Sequence, residues 1–302
     1  MEGLVLFNKP TGYTSYQIVD FFKKKTNKKV GHGGTLDPLA EGLLIIGIGE
    51  YTKELTKFLK ESVKEYICLI KLGYVSDTYD KEGKIIKTNK KIPDLEEIKK
   101  TLENFKGNIL QKPPIYSAIK IKGKPLYKLA REGEEIIDIK EREVIVYDLQ
   151  ILDFQKDLLS LRLKVSSGFY VRSFANDLGN KLNCGAYLER LTRTKINDFD
   201  VESALSFEDF KKDFLEFYAK IYGRVQGVGF RYFAEKNALK LNILGYAKNL
   251  EDGTVEIIAQ GREEDLQKFI EQLKIGPFLA KVEKIDIIFR KPKEVYPYFE
   301  IK

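Results

Sequence analysis

The sequence is poor in the residues that build crosslinks and metal centres. It holds two cysteines, Cys68 and Cys184, and one histidine, His32. Cysteines so far apart suggest neither a disulfide framework nor a metal knuckle, and a reducing compartment suits them. With one histidine and no Cys-x-x-Cys, the usual zinc donor set is hard to assemble. This argues against a zinc-dependent nucleobase deaminase and sets metal-free chemistry as the expectation. Long apolar runs are missing as well. The opening stretch MEGLVLFNKPTGYTS turns polar after about five apolar residues, too few for a signal peptide or a membrane span. The expectation is a cytoplasmic protein with no membrane partner.

What is present is a basic, ordinary globular composition. The 302 residues carry a formal charge of +7 with a pI near 9.0, and 43% of them are hydrophobic. The length allows two domains with packed cores, and the lysine excess makes a polyanionic partner the favoured kind. Apolar runs rich in β-branched residues (LVLF, GLLIIGIG, EYICLIKLG) alternate with helical stretches such as SYQIVDFFKKK and DLEEIKKTLENFKG, a pattern that reads as α+β. The helix expected over 94–105 has acids first and lysines later, as the helix dipole prefers. Residues 112–133 are basic, tyrosine-bearing and broken by Pro and Gly. They read as an excursion from the sheet, serving either as a solvated basic loop or as a nucleic-acid contact.

From about residue 215 the pattern restarts. Strand AKIYGRV, helix FRYFAEKNALKL, strands ILGYAKNL and TVEIIAQG, helix EEDLQKFIEQLK and strand KVEKIDIIFR follow in order. This is β-α-β-β-α-β, the ferredoxin-like split unit, able to bury its own core. Two domains are therefore expected, 1–214 and 215–302, with a short join.

The stretch VGHGGTLDPLAEGLL, from residue 30, holds the one histidine and reads as a glycine-rich loop running into a strand. Pro38 pushes Asp37 toward extended backbone, so a shaped loop presents the carboxylate. On spacing alone that aspartate either ties down its own turn or does chemistry. The motif does not stand alone. FNKPTGYTSY, GHGGTLDPLAEGLL, KEYICLIKLGYVSDTYDKEG, QKPPIYSAIKIKGKPLYKLAREG and SSGFYVRSFANDLGNKLNCGAYLERLTRT follow one another over residues 1–200. Taken together, they resemble the TruB-type tRNA pseudouridine synthases.

That resemblance implies a mixed-sheet catalytic domain, tRNA as partner through its TΨC stem-loop, and conversion of uridine 55 to pseudouridine without a cofactor or a metal. It makes Asp37 the catalytic carboxylate, acting by addition to the sugar or by taking a proton from C2′. Arg172 would pair with Asp37, Tyr66 would stack on the base near C5, and Tyr170 would line the pocket. His32 would pack among the flipped nucleotides, and Lys9 would support the fold or a phosphate. Lys120, Lys122, Lys124 and Arg131 would grip RNA phosphates, so affinity would fall steeply with salt.

In the second domain, Gly223, Gly227 and Gly229 let the backbone turn tightly between a strand and a helix, so several N–H groups can face one anion, with Arg231 in the first helical turn. On spacing alone this is either a phosphate site or a tight connection. YGRVQGVGFRYF with GYAKNLEDGTVEIIAQG resembles acylphosphatase over residues 218–302. The resemblance implies that Gly227, Val228, Gly229 and Phe230 cradle a phosphate, that Arg231 binds it and that Asn249 positions the attacking water on an acyl phosphate. A PUA-like RNA-binding module, common at the end of such synthases, is not recognisable here. The expectation is a monomer with both activities. An alternative is a tRNA-folding chaperone in which catalysis is secondary and the second domain supports RNA.

Overall fold

A computed structural model of the chain describes residues 1–117, 120–121, 124–125 and 139–302. The elements of the first half run β1 (Gly3–Lys9), α1 (Ser15–Thr26), β2 (Val30–Gly33), β3 (Glu41–Ile48), α2 (Tyr51–Lys60), β4 (Lys64–Leu72), β5 (Tyr74–Ser76), β6 (Ile85–Lys87), α3 (Leu95–Glu103) and β7 (Gly107–Gln111). Short β8 (Lys120–Ile121) and β9 (Lys124–Pro125) precede β10 (Arg142–Gln155), β11 (Leu158–Val165), α4 (Val171–Lys181), β12 (Ala186–Ile196) and β13 (Phe199–Asp200). The chain then runs through α5 (Phe207–Lys212), β14 (Leu215–Arg224), α6 (Phe230–Lys240), β15 (Leu244–Asn249), β16 (Val255–Gly261), α7 (Glu263–Ile275), β17 (Lys281–Arg290) and β18 (Phe299–Ile301). Among the described residues no helix is long and apolar enough to cross a membrane.

Two compact units result, and they cut across chain order. The first gathers Met1–Pro38, Gly42–Leu59 and Phe199–Lys302; the second holds Leu39–Glu41 and Lys60–Asp198.

In the first unit the strands are ordered β18-β15-β16-β14-β17-β1-β3, with β2 beside β3. The ferredoxin-like unit expected from the sequence forms, its strands ordered β15-β16-β14-β17 and its helices α6 and α7 crossing over. Two features go beyond that expectation. β18 adds a parallel strand beside β15. β1 lies parallel to β17, through Leu4 opposite Ile288 and Val5 opposite Phe289. Gly3 permits this approach, because a Cβ there would come within 2.9 Å of the Ile287 carbonyl oxygen, and its φ of +145° disfavours any other residue. The Tyr51 hydroxyl donates to the Ile285 carbonyl, Lys25 meets Glu263 at 2.9 Å, and the Lys291 N–H donates to the Ser203 carbonyl at 2.9 Å.

Helix α1 shows how local sequence serves this packing. Thr14 and Gln17 form a reciprocal capping box, Ile18, Val19 and Phe22 bury one face, Lys23–Lys25 occupy the last turn, and Asn27 ends the helix in the left-handed region at φ 52°. Phe22 meets Phe7 of β1 edge to face at 5.5 Å, and Phe207 of α5 closes on Phe7 at 5.0 Å.

In the second unit an antiparallel sheet is ordered β12-β4-β11-β10-β7. β4 alternates strictly. Lys64, Tyr66, Cys68, Ile70 and Leu72 face the interior, and the residues between them are half-exposed, as a strand period of two requires. Helix α4 buries Phe174 against Phe105 at 4.9 Å.

Candidate active sites

The predicted residues of the first domain divide between the units: His32 and Asp37 lie in the first, Tyr66, Tyr170 and Arg172 in the second. His32 lies in a strand, not in the glycine-rich loop read from the sequence. It sits on β2 opposite Ile46, because the short VGHG segment finds an edge of β3 to pair with. The loop proper starts at Gly34, which has a φ of +74°.

Asp37 stands between two fixed neighbours. Leu36 is held by the buried Ser15 hydroxyl, which accepts from its N–H at 2.9 Å and donates to its carbonyl at 3.0 Å. On the other side the Pro38 carbonyl accepts from the Gly12 N–H at 2.8 Å. The turn that contains Gly12 is itself organised from below. The fully buried Lys9 ammonium donates to the carbonyls of Pro10 at 3.0 Å and Tyr13 at 2.6 Å. The KPTGYTS segment therefore acts as a clamp on the aspartate loop. Buried hydrogen bonds of this kind are individually modest, but expensive to leave unmade.

In the second unit Arg172, one residue into α4, is buried. Its guanidinium lies 3.5 Å from the Asp80 carboxylate, donates to the Tyr116 carbonyl at 2.9 Å and reaches the Thr78 carbonyl at 3.5 Å. Asp80 is fixed in turn. The Thr78 hydroxyl donates to it at 2.6 Å and the Glu82 N–H at 3.0 Å. Tyr170, just before the helix, has its backbone clamped by Gln111, whose side chain accepts from the Tyr170 N–H at 2.7 Å and donates to its carbonyl at 3.0 Å. Tyr66 is buried on β4 and opposite both Leu163 and Arg193. Two places along on the same face, Lys64 donates to the Ser167 hydroxyl at 3.2 Å. Burial, with Arg193 nearby, pushes the Lys64 pKa down to about 8. Of the basic excursion, Lys120 and Lys124 open β8 and β9, while Lys122 and Arg131 lie outside the described residues.

The loop expected to cradle an anion joins β14 to α6. Gly227 and Gly229 have φ near +72° and +77°, and a Cβ at either would meet nothing within 4 Å. Gly229 caps α6 and supplies no side-chain hydrogen bond, so the first N–H groups of the helix are left to other partners. Phe230 is buried beneath it. Gln226 ties the loop to the far hairpin, donating to the carbonyls of Leu250 at 2.8 Å and Thr254 at 2.9 Å. The residue before Leu250 is Asn249, whose Oδ1 is buried with no hydrogen-bond partner among the described residues, an acceptor that a water O–H would satisfy. Arg231 donates to the main-chain oxygen of Lys302 at 2.7 Å.

Four fixing residues carry no role in the sequence reading: Gly12, Ser15, Asp80 and Gln111. Asp80 had a visible signal, since SDTYD crowds short polar residues in a way typical of a self-bonded turn. The other three act across elements and leave no local mark.

Comparison with known proteins finds relatives of both parts of the chain. Residues 23–171 match the TruB family pseudouridylate synthase N-terminal domain, and residues 217–301 match acylphosphatase. The tRNA pseudouridine synthase B of Francisella philomiragia is 45% identical over 214 residues, covering 70% of each chain. A solved Cbf5-Nop10-Gar1 complex shares the fold, with a TM-score of 0.55 at 21% identity over 94% of this chain and 84% of that one. A solved acylphosphatase of Bacillus subtilis is 42% identical, over 29% of this chain and 98% of its own, with a TM-score of 0.29. The chain belongs to the TruB family of pseudouridylate synthases and carries an acylphosphatase-family domain at its C-terminal end.

Proposed function

We propose that residues 1–214 isomerise uridine 55 in the TΨC arm of tRNA to pseudouridine, and that residues 215–302 hydrolyse acyl phosphates. The observation that carries the first reading is the Asp37 loop, pinned on both sides by Ser15 and Gly12. A carboxylate held this way is oriented before substrate arrives, and orientation is what a reaction inside one nucleotide requires. Isomerisation breaks the N1–C1′ bond, turns the base over and joins C5 to C1′, with loss of the C5 proton. Asp37 acts at the sugar, by addition at C1′ or as a base at C2′. Arg172 pairs with it and keeps it ionised, Tyr66 stacks on the base near C5, and Tyr170 lines the pocket. His32 fills the place vacated when the base flips out. Lys120, Lys122, Lys124 and Arg131 hold RNA phosphates.

In the second domain the N–H groups of residues 227–230 and the Arg231 guanidinium take the phosphoryl oxygens. Asn249 orients a water whose oxygen bonds to phosphorus as the bond to the acyl oxygen breaks. The carboxylate leaves with the electron pair, and the protons of water pass to phosphate and solvent. We infer a monomer working in the cytoplasm, which suits two buried free thiols, Cys68 and Cys184.

Carbodiimide-stop mapping of a tRNA transcript treated with the protein tests the substrate. A new stop at position 55, lost when that uridine is replaced by cytidine, is the expected result. Modification elsewhere with position 55 untouched contradicts it.

A further inference from the structure

The acylphosphatase-like domain carries an apolar tip that its own core does not use. After α7 the chain turns at Pro277–Ala280, closed by the Ala280 N–H donating to the Pro277 carbonyl at 2.8 Å. The two residues at the turn's apex are Phe278, 100% exposed, and Leu279, 60% exposed, and Ile275 at the helix end is 69% exposed. Three large apolar side chains held in water beside one another are costly unless something covers them.

The tip sits at the rim of the anion cradle. Gly276, at its base, packs so closely on Phe230 that a Cβ there would stand 3.2 Å from the Phe230 ring. Phe230 is the first residue of α6 and the last of the cradle. On the other flank Arg224, at the end of β14 just before the cradle, pairs with Lys281 at the start of β17. A Cβ on Gly223 would fall 2.2 Å from the Lys281 carbonyl oxygen, so only glycine lets the two segments lie this close. Phe278 lies two residues beyond Gly276, at most about 7 Å of chain.

The two lysines that flank the tip have acidic neighbours. Lys274 meets Glu271 at 3.0 Å and Glu2 at 3.5 Å, and Lys281 lies 3.7 Å from Glu283. What the tip itself offers a ligand is apolar contact.

The geometry points to Phe278 and Leu279 as specificity-determining residues that cover the acyl group of a phosphate seated in the cradle, selecting aromatic or bulky apolar acyl phosphates over small ones. This rests on the hydrolase reading of the domain. A two-carbon acyl group stops short of the tip, whereas an aromatic one reaches it and buries both itself and the Phe278 ring. The Asn249 oxygen, buried without a hydrogen-bond partner among the described residues, can accept from a water placed to attack the phosphoryl group, as the hydrolase reading requires.

The test measures kcat/KM of the full chain on benzoyl phosphate and acetyl phosphate, for wild type, Phe278→Ser and Leu279→Ser. Wild type is expected to favour benzoyl phosphate by about tenfold or more. Phe278→Ser should lower kcat/KM for benzoyl phosphate by about tenfold, mainly through KM, and Leu279→Ser by about threefold. Acetyl phosphate should change less than twofold. Equal losses on both substrates, or none on either, overturn the assignment while leaving the hydrolase reading intact. Unchanged hydrolysis with weakened tRNA binding overturns it in favour of an RNA contact. A wild type that hydrolyses neither phosphate removes the hydrolase reading, and this inference with it.

Discussion

The two glycine-bearing loops of the first unit are held in opposite ways. The loop that carries Asp37 is fastened on both flanks, to a buried serine hydroxyl and to the Gly12 backbone. The loop at Gly227–Phe230 is tied at its entrance through Gln226, and among the described residues no atom lies within 4 Å of a Cβ placed on either of its glycines. A carboxylate that must meet one sugar atom gains from being fixed. An anion cradle must leave its N–H groups to the ligand, so any internal partner would compete with the phosphate. The residues that matter most are therefore the neighbours of Asp37 in one loop and the loop's own backbone in the other.

This contrast can be broken by substitution. The largest effect should come where a buried charge is held by another. Asp80→Ala strips the carboxylate from the buried Arg172, and urea unfolding should show a loss of about 3–5 kcal/mol together with a fall in isomerisation of roughly a hundredfold or more. Retained stability and activity would show that Asp80 does not hold the guanidinium.

A second effect is carried by Lys64. Its pKa drops from 10.5 to about 8 in the fold, so between these values the folded state holds fewer protons than the unfolded chain. The stability contributed by the neutral amine is therefore absent below about pH 8 and gained as pH rises toward 10.5. Measured against Lys64→Met, wild type should gain up to about 3 kcal/mol across that window. A pH-independent difference would rule the shift out.

Smaller effects separate the loops. Ser15→Ala leaves the Leu36 N–H and carbonyl without their partner and should cost about 2 kcal/mol in unfolding experiments. It should slow isomerisation by roughly tenfold or more while acyl phosphate hydrolysis stays as it was. Gly229→Ala has the reverse signature. The added methyl meets no atom within 4 Å, so only the left-handed backbone is strained, at about 1 kcal/mol. Hydrolysis should fall and isomerisation should not. If either variant damages both activities equally, the loops are not independent in the way described.

Much of this was legible in the sequence where the signal is local. The helix over SYQIVDFFKKK, the strand over EYICLIKLG and the six elements from β14 to β17 are written in spacing, and they formed with boundaries close to those expected. His32 misled because glycines on either side of it suggested a loop, whereas an open strand edge decided the matter. The β1–β17 pairing rests on two residue pairs in parallel register, and nothing in LVLF distinguishes an edge left open from one that is covered. The ties from Ser15 to Leu36, from Gln111 to Tyr170 and from Asp80 to Arg172 join segments far apart in sequence.

 
The Ser15 bonds span 21 residues and the Gln111 bonds 59. Contacts at such separations exist only once the sheets have formed, so no local pattern announces them.

The central claim is that Asp37, fixed by its neighbours, carries the isomerisation. Tritium release from a tRNA transcript labelled at uridine C5 tests it most directly, because joining C5 to C1′ must expel that hydrogen. Wild type should release about one tritium per tRNA from position 55, and Asp37→Ala none, although both bind the tRNA with similar affinity. Release by Asp37→Ala at the wild-type rate, or no release by a wild type that binds tRNA, would contradict the account.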